Sequence, residues 1–212
     1  MNVIDEKYYS ISRHFQSQSK IEGSKFIADI FPIVTEEEAE KYLQKIRNAY
    51  FDATHHCFAF ACGPERKNFR YSDDGEPSGT AGVKIFSAVQ SSNLSDVLII
   101  VTRYFGGTKL GVGGLGRAYF ESAKKVIDDS TIVEKFLFQE ILLSFSFSDT
   151  NPVMNIIHKM KIKILQTTYE DDKAHLSAAV LPSSVDHCTV SLTNATNGRI
   201  EISFGAKKTI IV

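Results

Sequence analysis

The spacing of apolar residues divides the first part of the chain into strand-like and helical segments. Loose alternation predicts two antiparallel strands, Tyr9–Phe15 and Lys20–Ile33, joined near Gln16–Ser19. Apolar residues at helical spacing follow Thr35, which opens a capping-box pattern with Glu38. The further predicted elements are a strand at Phe58–Cys62, a helix at Gly79–Ser92 with Ser78 as its N-cap, a buried strand at Asp96–Thr102 and a helix at Gly114–Asp129.

The pattern changes near Asp129–Lys135 and then reads strand, helix, strand, strand, helix, strand. The predicted elements are a strand at Phe136–Phe147, a helix from Thr150, strands at Lys161–Tyr169 and Ala174–Leu181, a helix at Pro182–Asn197 and a strand at Arg199–Phe204. This order is that of the ferredoxin-like βαββαβ fold. The sequence therefore predicts an α+β protein with two domains, residues 1–132 and residues 133–212.

One segment, Thr102–Tyr119, carries six of the chain's 13 glycines. Glycine serves where the backbone needs positive φ or where another group approaches it closely. A glycine-rich turn that ends at a helix N-terminus presents free N–H groups to an anion. The predicted anion- or RNA-binding residues are Lys25, Arg103, Gly106, Gly107, Lys109, Gly111, Gly113, Gly114 and Arg117.

A second segment, Ser72–Gly82, is acidic and then rich in small residues, and we expect it to lie beside the glycine-rich segment. Its three carboxylates belong to Asp73, Asp74 and Glu76. Two interpretations are open: the loop caps the next helix, or it faces a ligand or partner. The same carboxylates and His56 are the candidates for any catalytic role.

Motifs for metals and cofactors are weak. His55, His56 and Cys57 lack a second Cys or His pair at zinc-ligand spacing, so no metal site is predicted. The Gly111-x-Gly113-x-x-Gly116 string matches a dinucleotide motif, but it does not directly follow a strand, and no βαβ unit with a ribose-binding acid comes after it. We therefore expect no cofactor.

Composition limits the class of protein. The formal net charge is −1, so nucleic-acid binding would require a local basic patch. Three cysteines without framework spacing indicate reduced thiols. No N-terminal signal and no apolar run of membrane-spanning length are evident. We expect a cytoplasmic protein that does not act in a membrane.

Four motifs are similar to those of one family. They are Ser24-Lys25-Phe26, His55-His56-Cys57, the whole Ser72–Gly82 run, and Arg103-Tyr104-Phe105-Gly106-Gly107-x-x-Leu110-Gly111. The chain resembles the IMPACT/YigZ family in its bacterial two-domain form. The resemblance implies an N-terminal domain of the ribosomal-protein-S5-domain-2-like fold and a C-terminal domain like the last domain of translation factor G. It also implies a role in translation, which eukaryotic relatives regulate through a protein partner.

Three functions are consistent with these features. The leading hypothesis is a non-enzymatic translation-associated regulator that binds RNA or the ribosome through the glycine-rich loop. The second is a metal-assisted enzyme acting on a phosphorylated or peptide-like small molecule, with Asp73, Asp74 and Glu76 as metal ligands or acid/base groups. The third is a protein-interaction module in which both loops form a docking face.

Overall fold

The computed structural model describes residues 6–211, which form two antiparallel sheets and five α-helices in a mixed α/β fold. The chain divides into two compact units between Glu134 and Lys135. The predicted boundary after residue 132 lies two residues earlier. None of the helices within residues 6–211 is long and apolar enough to cross a membrane.

The first unit contains a five-stranded sheet with helices on both faces. The strands of this sheet are β2 (Phe15–Ile21), β3 (Ser24–Pro32), β4 (His55–Cys62), β5 (Asn68–Ser72) and β6 (Val97–Tyr104). The unit also contains strand β1 (Lys7–Ile11), outside this sheet, and the helices α1 (Glu36–Ala49), α2 (Gly82–Ser91) and α3 (Gly111–Asp128). The sheet order is β2-β3-β6-β4-β5, so β6 is the central strand. The predicted buried strand at Asp96–Thr102 is thereby confirmed.

Alternation along β6 supplies both layers of the core. Ile99 and Val101 pack with α2 and α3 on one face of the sheet, whereas Leu98 and Ile100 pack with α1 on the other. Successive side chains of a strand point to opposite faces, so a fully apolar run suits a strand covered on both sides. Helix α1 begins where it was predicted, and Thr35 accepts a hydrogen bond from the Glu38 N–H.

The predicted N-terminal hairpin is wrong in its strand boundaries and its turn. Residues 16–19, the predicted turn, lie inside β2, and the turn is formed by Glu22 and Gly23. Both turn residues have positive φ, 46° and 82°, as a two-residue hairpin turn of this kind requires. Strand β1 is not part of that hairpin; it pairs with β7 (Ile132–Ser146), which begins in the first unit.

Two helix starts also differ from the prediction. Helix α2 starts at Gly82 rather than Gly79, and its N-terminal N–H groups are capped by the Asp73 side chain rather than by Ser78. Helix α3 starts at Gly111 rather than Gly114. Glycine has a low intrinsic preference for helix, so the glycine-rich first turn gives no helical signal in the sequence.

The second unit contains a sheet with two helices on one face. Its elements are the rest of β7, α4 (Thr150–Lys159), β8 (Lys163–Glu170), β9 (Lys173–Val180), α5 (Val185–Ala195) and β10 (Glu201–Ile211). Its strands are ordered β10-β7-β9-β8. Core residues such as Ile141, Leu176 and Leu192 alternate along the strands and recur along the helices. The predicted succession of strands and helices is confirmed.

Candidate functional site

The acidic loop and the glycine-rich loop meet at a buried ion pair. Arg103 Nη1 lies 2.7 Å from Glu76 Oε1, and the two side chains are only 7% and 4% exposed. The Tyr119 hydroxyl of α3 donates a second hydrogen bond to the same oxygen, at 2.7 Å. The positive charge of Arg103 is therefore already paired inside the protein, although the sequence suggested an outward-facing cation.

Arg103 is buried because it continues the inner face of β6. It lies on the same face as Ile99 and Val101, which are fully buried under α2 and α3. Its guanidinium carbon lies 5.6 Å from the centre of the Phe26 ring and 5.5 Å from that of Phe105. Its Nη2 donates to Ser24 Oγ at 3.3 Å, but its Nε is buried without a hydrogen-bond partner. The Nε–H donor of this side chain is thus unused.

The other two carboxylates of the acidic loop hold the loop in place. Asp73 accepts hydrogen bonds from the backbone N–H groups of Gly79, Ala81 and Gly82 at 2.8–2.9 Å. Burial raises the pKa of Asp73, but these three donors outweigh it, and the pKa is lowered overall. This geometry favours the capping interpretation of the loop for Asp73.

Asp74 links the acidic loop to α1 and β4. It pairs with Arg47 at 2.8 Å and accepts the His56 backbone N–H at 2.7 Å. The backbone oxygen of Asp74 lies 2.8 Å from His55 Nδ1, and His55 Nε2 lies 3.9 Å from Glu76 Oε2. These contacts bring the predicted histidine and acidic residues together, as parts of one internal network.

Burial favours the neutral forms of the histidine and the cysteine beside this network. Burial lowers the pKa of His56, whose Nε2 lies 3.1 Å from the Tyr50 carbonyl oxygen. Burial strongly raises the pKa of Cys57, whose thiol donates to the Asp73 carbonyl. A thiol with a raised pKa is a poor nucleophile. Within residues 6–211 there is no group of three or more His, Cys, Asp or Glu side chains placed to hold a metal ion.

The start of the glycine-rich loop is tightly anchored. A Cβ at Gly106 would lie 1.9 Å from the backbone carbon of Gly23, so only glycine fits there. The Gly106 N–H donates to Ser24 Oγ at 3.2 Å, and the Phe105 N–H donates to Thr54 Oγ1 at 3.1 Å. The backbone N–H groups of Phe105 and of the next residue, Gly106, are therefore both held by hydrogen bonds to neighbouring segments.

The loop ends at a helix N-terminus that no side chain within residues 6–211 caps. Helix α3 follows Leu110, whose side chain makes no capping hydrogen bond, and Gly111, Gly113 and Gly114 are exposed in its first turn. A Cβ at Gly113 would meet nothing within 4 Å. A pocket of about 360 Å³ opens at this end, lined by Glu76, Arg103, Phe105, Lys109, Gly111 and Val112 among others. The free N–H groups and the buried Arg103 thus border the same space.

Exposed cations surround the first turns of α3. Lys109 and Arg117 border a second pocket of about 370 Å³, together with the acidic residues Glu22 and Glu121. Arg117 also lines a groove with Lys84 of α2, whose aliphatic stem packs on Gly116. The structure therefore places most of the predicted anion-binding residues around one helix end.

The structure places one predicted site residue elsewhere, and the sequence analysis missed two others. Lys25 is exposed but borders a separate hollow with Lys20 and Gly23. Phe105 lies inside the family motif, yet it was not among the predicted site residues. Lys84 was also missed, and only its helical position facing α3 could have suggested it.

Together these features define a mixed α/β protein of two compact units, in which a buried Arg–Glu pair joins an acidic loop to a glycine-rich loop that opens onto an uncapped helix. The Impact N-terminal domain model matches residues 22–127. The chain is 31% identical to the IMPACT family member YvyE of Bacillus subtilis over 93% of its length and 91% of that protein. The chain belongs to the IMPACT family.

Further comparisons agree with this assignment. The chain is 32% identical to an IMPACT family member of Haemophilus influenzae, covering 87% of the chain and 90% of that relative. It is 33% identical to the protein IMPACT homolog of Dictyostelium discoideum over 45% of the chain and 27% of that protein. A crystal structure of a hypothetical protein is similar with a TM-score of 0.68 at 25% identity, covering 93% of this chain and 96% of that one.

Proposed function

We propose that this protein is a non-enzymatic, translation-associated protein that binds RNA or the ribosome. The contact would be made by the α3 N-terminal face, defined as Phe105, Lys109, Arg117 and the first turn of α3. The observation that carries the proposal is one pocket lined both by the first turn of α3 and by Arg103, a buried side chain whose Nε has no hydrogen-bond partner. The chain belongs to the IMPACT family, and its resemblance to that family implies a role in translation, which supports the same function.

The electrostatics of this face suit a phosphate group. A helix N-terminus carries roughly +0.5 elementary charge and presents backbone N–H donors. Lys109 and Arg117 add two exposed positive charges beside it. Arg103 adds little net charge to this face, since Glu76 neutralises it. Contacts of this kind give binding that weakens with salt and depends little on sequence.

The test is co-sedimentation of the purified protein with ribosomes over a salt series. The double variant Lys109→Glu/Arg117→Glu changes only exposed residues and leaves the buried pair intact. We expect it to lose most of the binding and to reduce the salt slope by about 1 for each lost phosphate contact. Charge reversal at Arg103 is unsuitable because it would place two carboxylates together in the core.

The matched control is Lys41→Glu/Lys45→Glu, which makes the same charge change at exposed positions on α1. It should bind nearly as the wild type does. Equal losses in the two double variants would show that only net charge matters and would remove the site assignment. Capture of a stoichiometric protein partner that survives nuclease treatment, with no ribosome binding at low salt, would instead favour the interaction-module hypothesis.

We also propose the finer fold assignment that the resemblance implies. Residues 1–132 would have the ribosomal-protein-S5-domain-2-like fold, and residues 133–212 the ferredoxin-like fold of the last domain of translation factor G. The strand, helix, strand, strand, helix, strand succession of the second unit supports the latter. Both folds occur in proteins of the translation machinery, in line with the proposed function.

A further inference from the structure

The α3 N-terminal face carries an aromatic ring that the fold leaves uncovered. Phe105 is 47% exposed and lines the same pocket as the α3 N-terminus and Lys109. Aromatic side chains are enriched at binding surfaces, and Phe105 lies beside Lys109 and the end of α3. The ring is therefore accessible to a ligand that occupies this pocket.

The backbone that carries this ring is held by three contacts. Its own backbone N–H is bound to Thr54, the next backbone N–H is bound to Ser24, and Gly106 packs directly on Gly23. The Arg103 guanidinium lies 5.5 Å from the ring centre and is itself held by Glu76 and Ser24. An exposed ring on an anchored backbone loses little conformational freedom when a flat partner stacks on it.

We propose that Phe105 stacks on an unpaired base of single-stranded RNA whose phosphate binds at the N-terminus of α3. This inference rests on the proposed function and names the ligand class of the same site. A base in a duplex is covered by its neighbours, so only single-stranded or looped RNA can offer its face to a protein ring. Stacking on aromatic side chains tolerates any base, because every base has a π-face.

The chain contains no tryptophan, which allows a direct test. Phe105→Trp introduces one fluorophore at the proposed stacking position and keeps a flat ring there. The probes are an oligouridine of about 12 nucleotides and an RNA duplex of about 12 base pairs, lengths within the range that single modules cover. We expect the oligouridine to quench the tryptophan emission saturably and the duplex to leave it nearly unchanged.

Binding is measured in parallel by anisotropy of the labelled oligouridine. Phe105→Leu preserves an apolar cover over the Arg103–Glu76 pair but removes the flat ring. We expect it to weaken oligouridine binding by about 5- to 150-fold, the range for loss of one base–aromatic stack. If Phe105 only shields the ion pair, Phe105→Leu will bind as tightly as the wild type, and the proposal is then wrong.

Phe51 supplies the matched control, because it is 83% exposed, lies just beyond α1 and is not one of the residues that line the pocket. Phe51→Trp should show no quenching, and Phe51→Leu should bind like the wild type. Quenching of both tryptophan variants would indicate non-specific contact and would overturn the assignment.

The design separates this inference from the proposed function. If Lys109→Glu/Arg117→Glu abolishes RNA binding while Phe105→Leu has no effect and the duplex binds as well as the oligouridine, the stacking proposal fails and the phosphate site stands. If neither RNA binds the wild-type protein at low salt, the proposed function fails together with the inference.

Discussion

Replacing Glu76 by glutamine tests whether the buried ion pair holds the two loops together. Glutamine keeps the shape of the side chain and one oxygen that can accept from Arg103 or Tyr119, but it removes the negative charge. Arg103 would then be a buried cation without a counter-charge, at a position where its side chain is only 7% exposed. Removing one partner of a buried pair typically costs about 3 to 5 kcal/mol. The retained oxygen places the expected loss near the lower end, at about 3 kcal/mol.

A surface pair in the same molecule gives the control. Arg70 Nη1 lies 2.7 Å from Glu40 Oε1, the same distance as in the buried pair, but the two side chains are 52% and 48% exposed. Exposed pairs contribute about 0 to 1 kcal/mol because water solvates both charges. Glu40→Gln should therefore change stability little. Arg70 also keeps a second carboxylate partner, Glu36, at 3.2 Å, so the two variants differ in burial and in the counter-charge that remains.

Urea unfolding followed by circular dichroism measures both variants, and amide exchange of β6 assigns the change to the first unit. The chain has two compact units, so the curve is fitted with two transitions. We expect Glu76→Gln to lower the midpoint of the first-unit transition with an unchanged slope. A loss below about 1 kcal/mol, equal to that of Glu40→Gln, would show that the pair is solvated and would refute the reasoning.

Further predictions concern the loop glycines and the buried titrating groups. Gly106→Ala forces a Cβ into the backbone of Gly23 and should prevent folding of the first unit, whereas Gly113→Ala meets open space and should stabilise α3 by up to about 1 kcal/mol; urea midpoints distinguish them. The lowered pKa of Asp73 stabilises the fold above pH 3.8, so stability should fall as the pH decreases below that value, and Asp73→Asn should flatten this dependence. Burial lowers the pKa of His56, so the unfolded chain takes up its proton first and stability should decrease below pH 6.5; His56→Gln should remove that slope.

The sequence predicted the secondary-structure elements correctly where apolar periodicity or a capping pattern was clear. Apolar periodicity located β6 and the main helices, and the Thr35–Glu38 cap located the start of α1. The Glu22–Gly23 turn was missed because a two-residue turn interrupts the apolar pattern too briefly to be seen. The α3 start was missed because its first turn is glycine-rich, and the surrounding packing, which the sequence does not show, makes it helical.

The sequence analysis identified the two loops that meet at the candidate site, but it did not predict the direction in which Arg103 faces. The two loops meet as expected, yet the arginine that was to face an anion faces Glu76 instead. If the predicted strand had been extended past Thr102, the alternation of side chains would have placed Arg103 on the same buried face as Ile99 and Val101. No pattern in the sequence could pair Arg103 with Glu76 rather than Asp73 or Asp74, because the three carboxylates lie within four residues and only the loop conformation separates them.

The pairing of Arg103 with Glu76 has opposite consequences for stability and for anion binding. Glu76 stabilises the junction, but its carboxylate lines the pocket and repels a phosphate placed there. In Glu76→Gln the guanidinium keeps its contacts with Ser24 and the two flanking rings, so its position should change little while its charge is unmasked. At distances of several ångströms this charge is worth on the order of 1 kcal/mol, or about 5-fold in affinity, less as salt rises. The less stable variant should therefore bind oligouridine more tightly at low salt; weaker binding by a folded Glu76→Gln protein would mean that Glu76 matters for the position of the loop rather than for the field in the pocket.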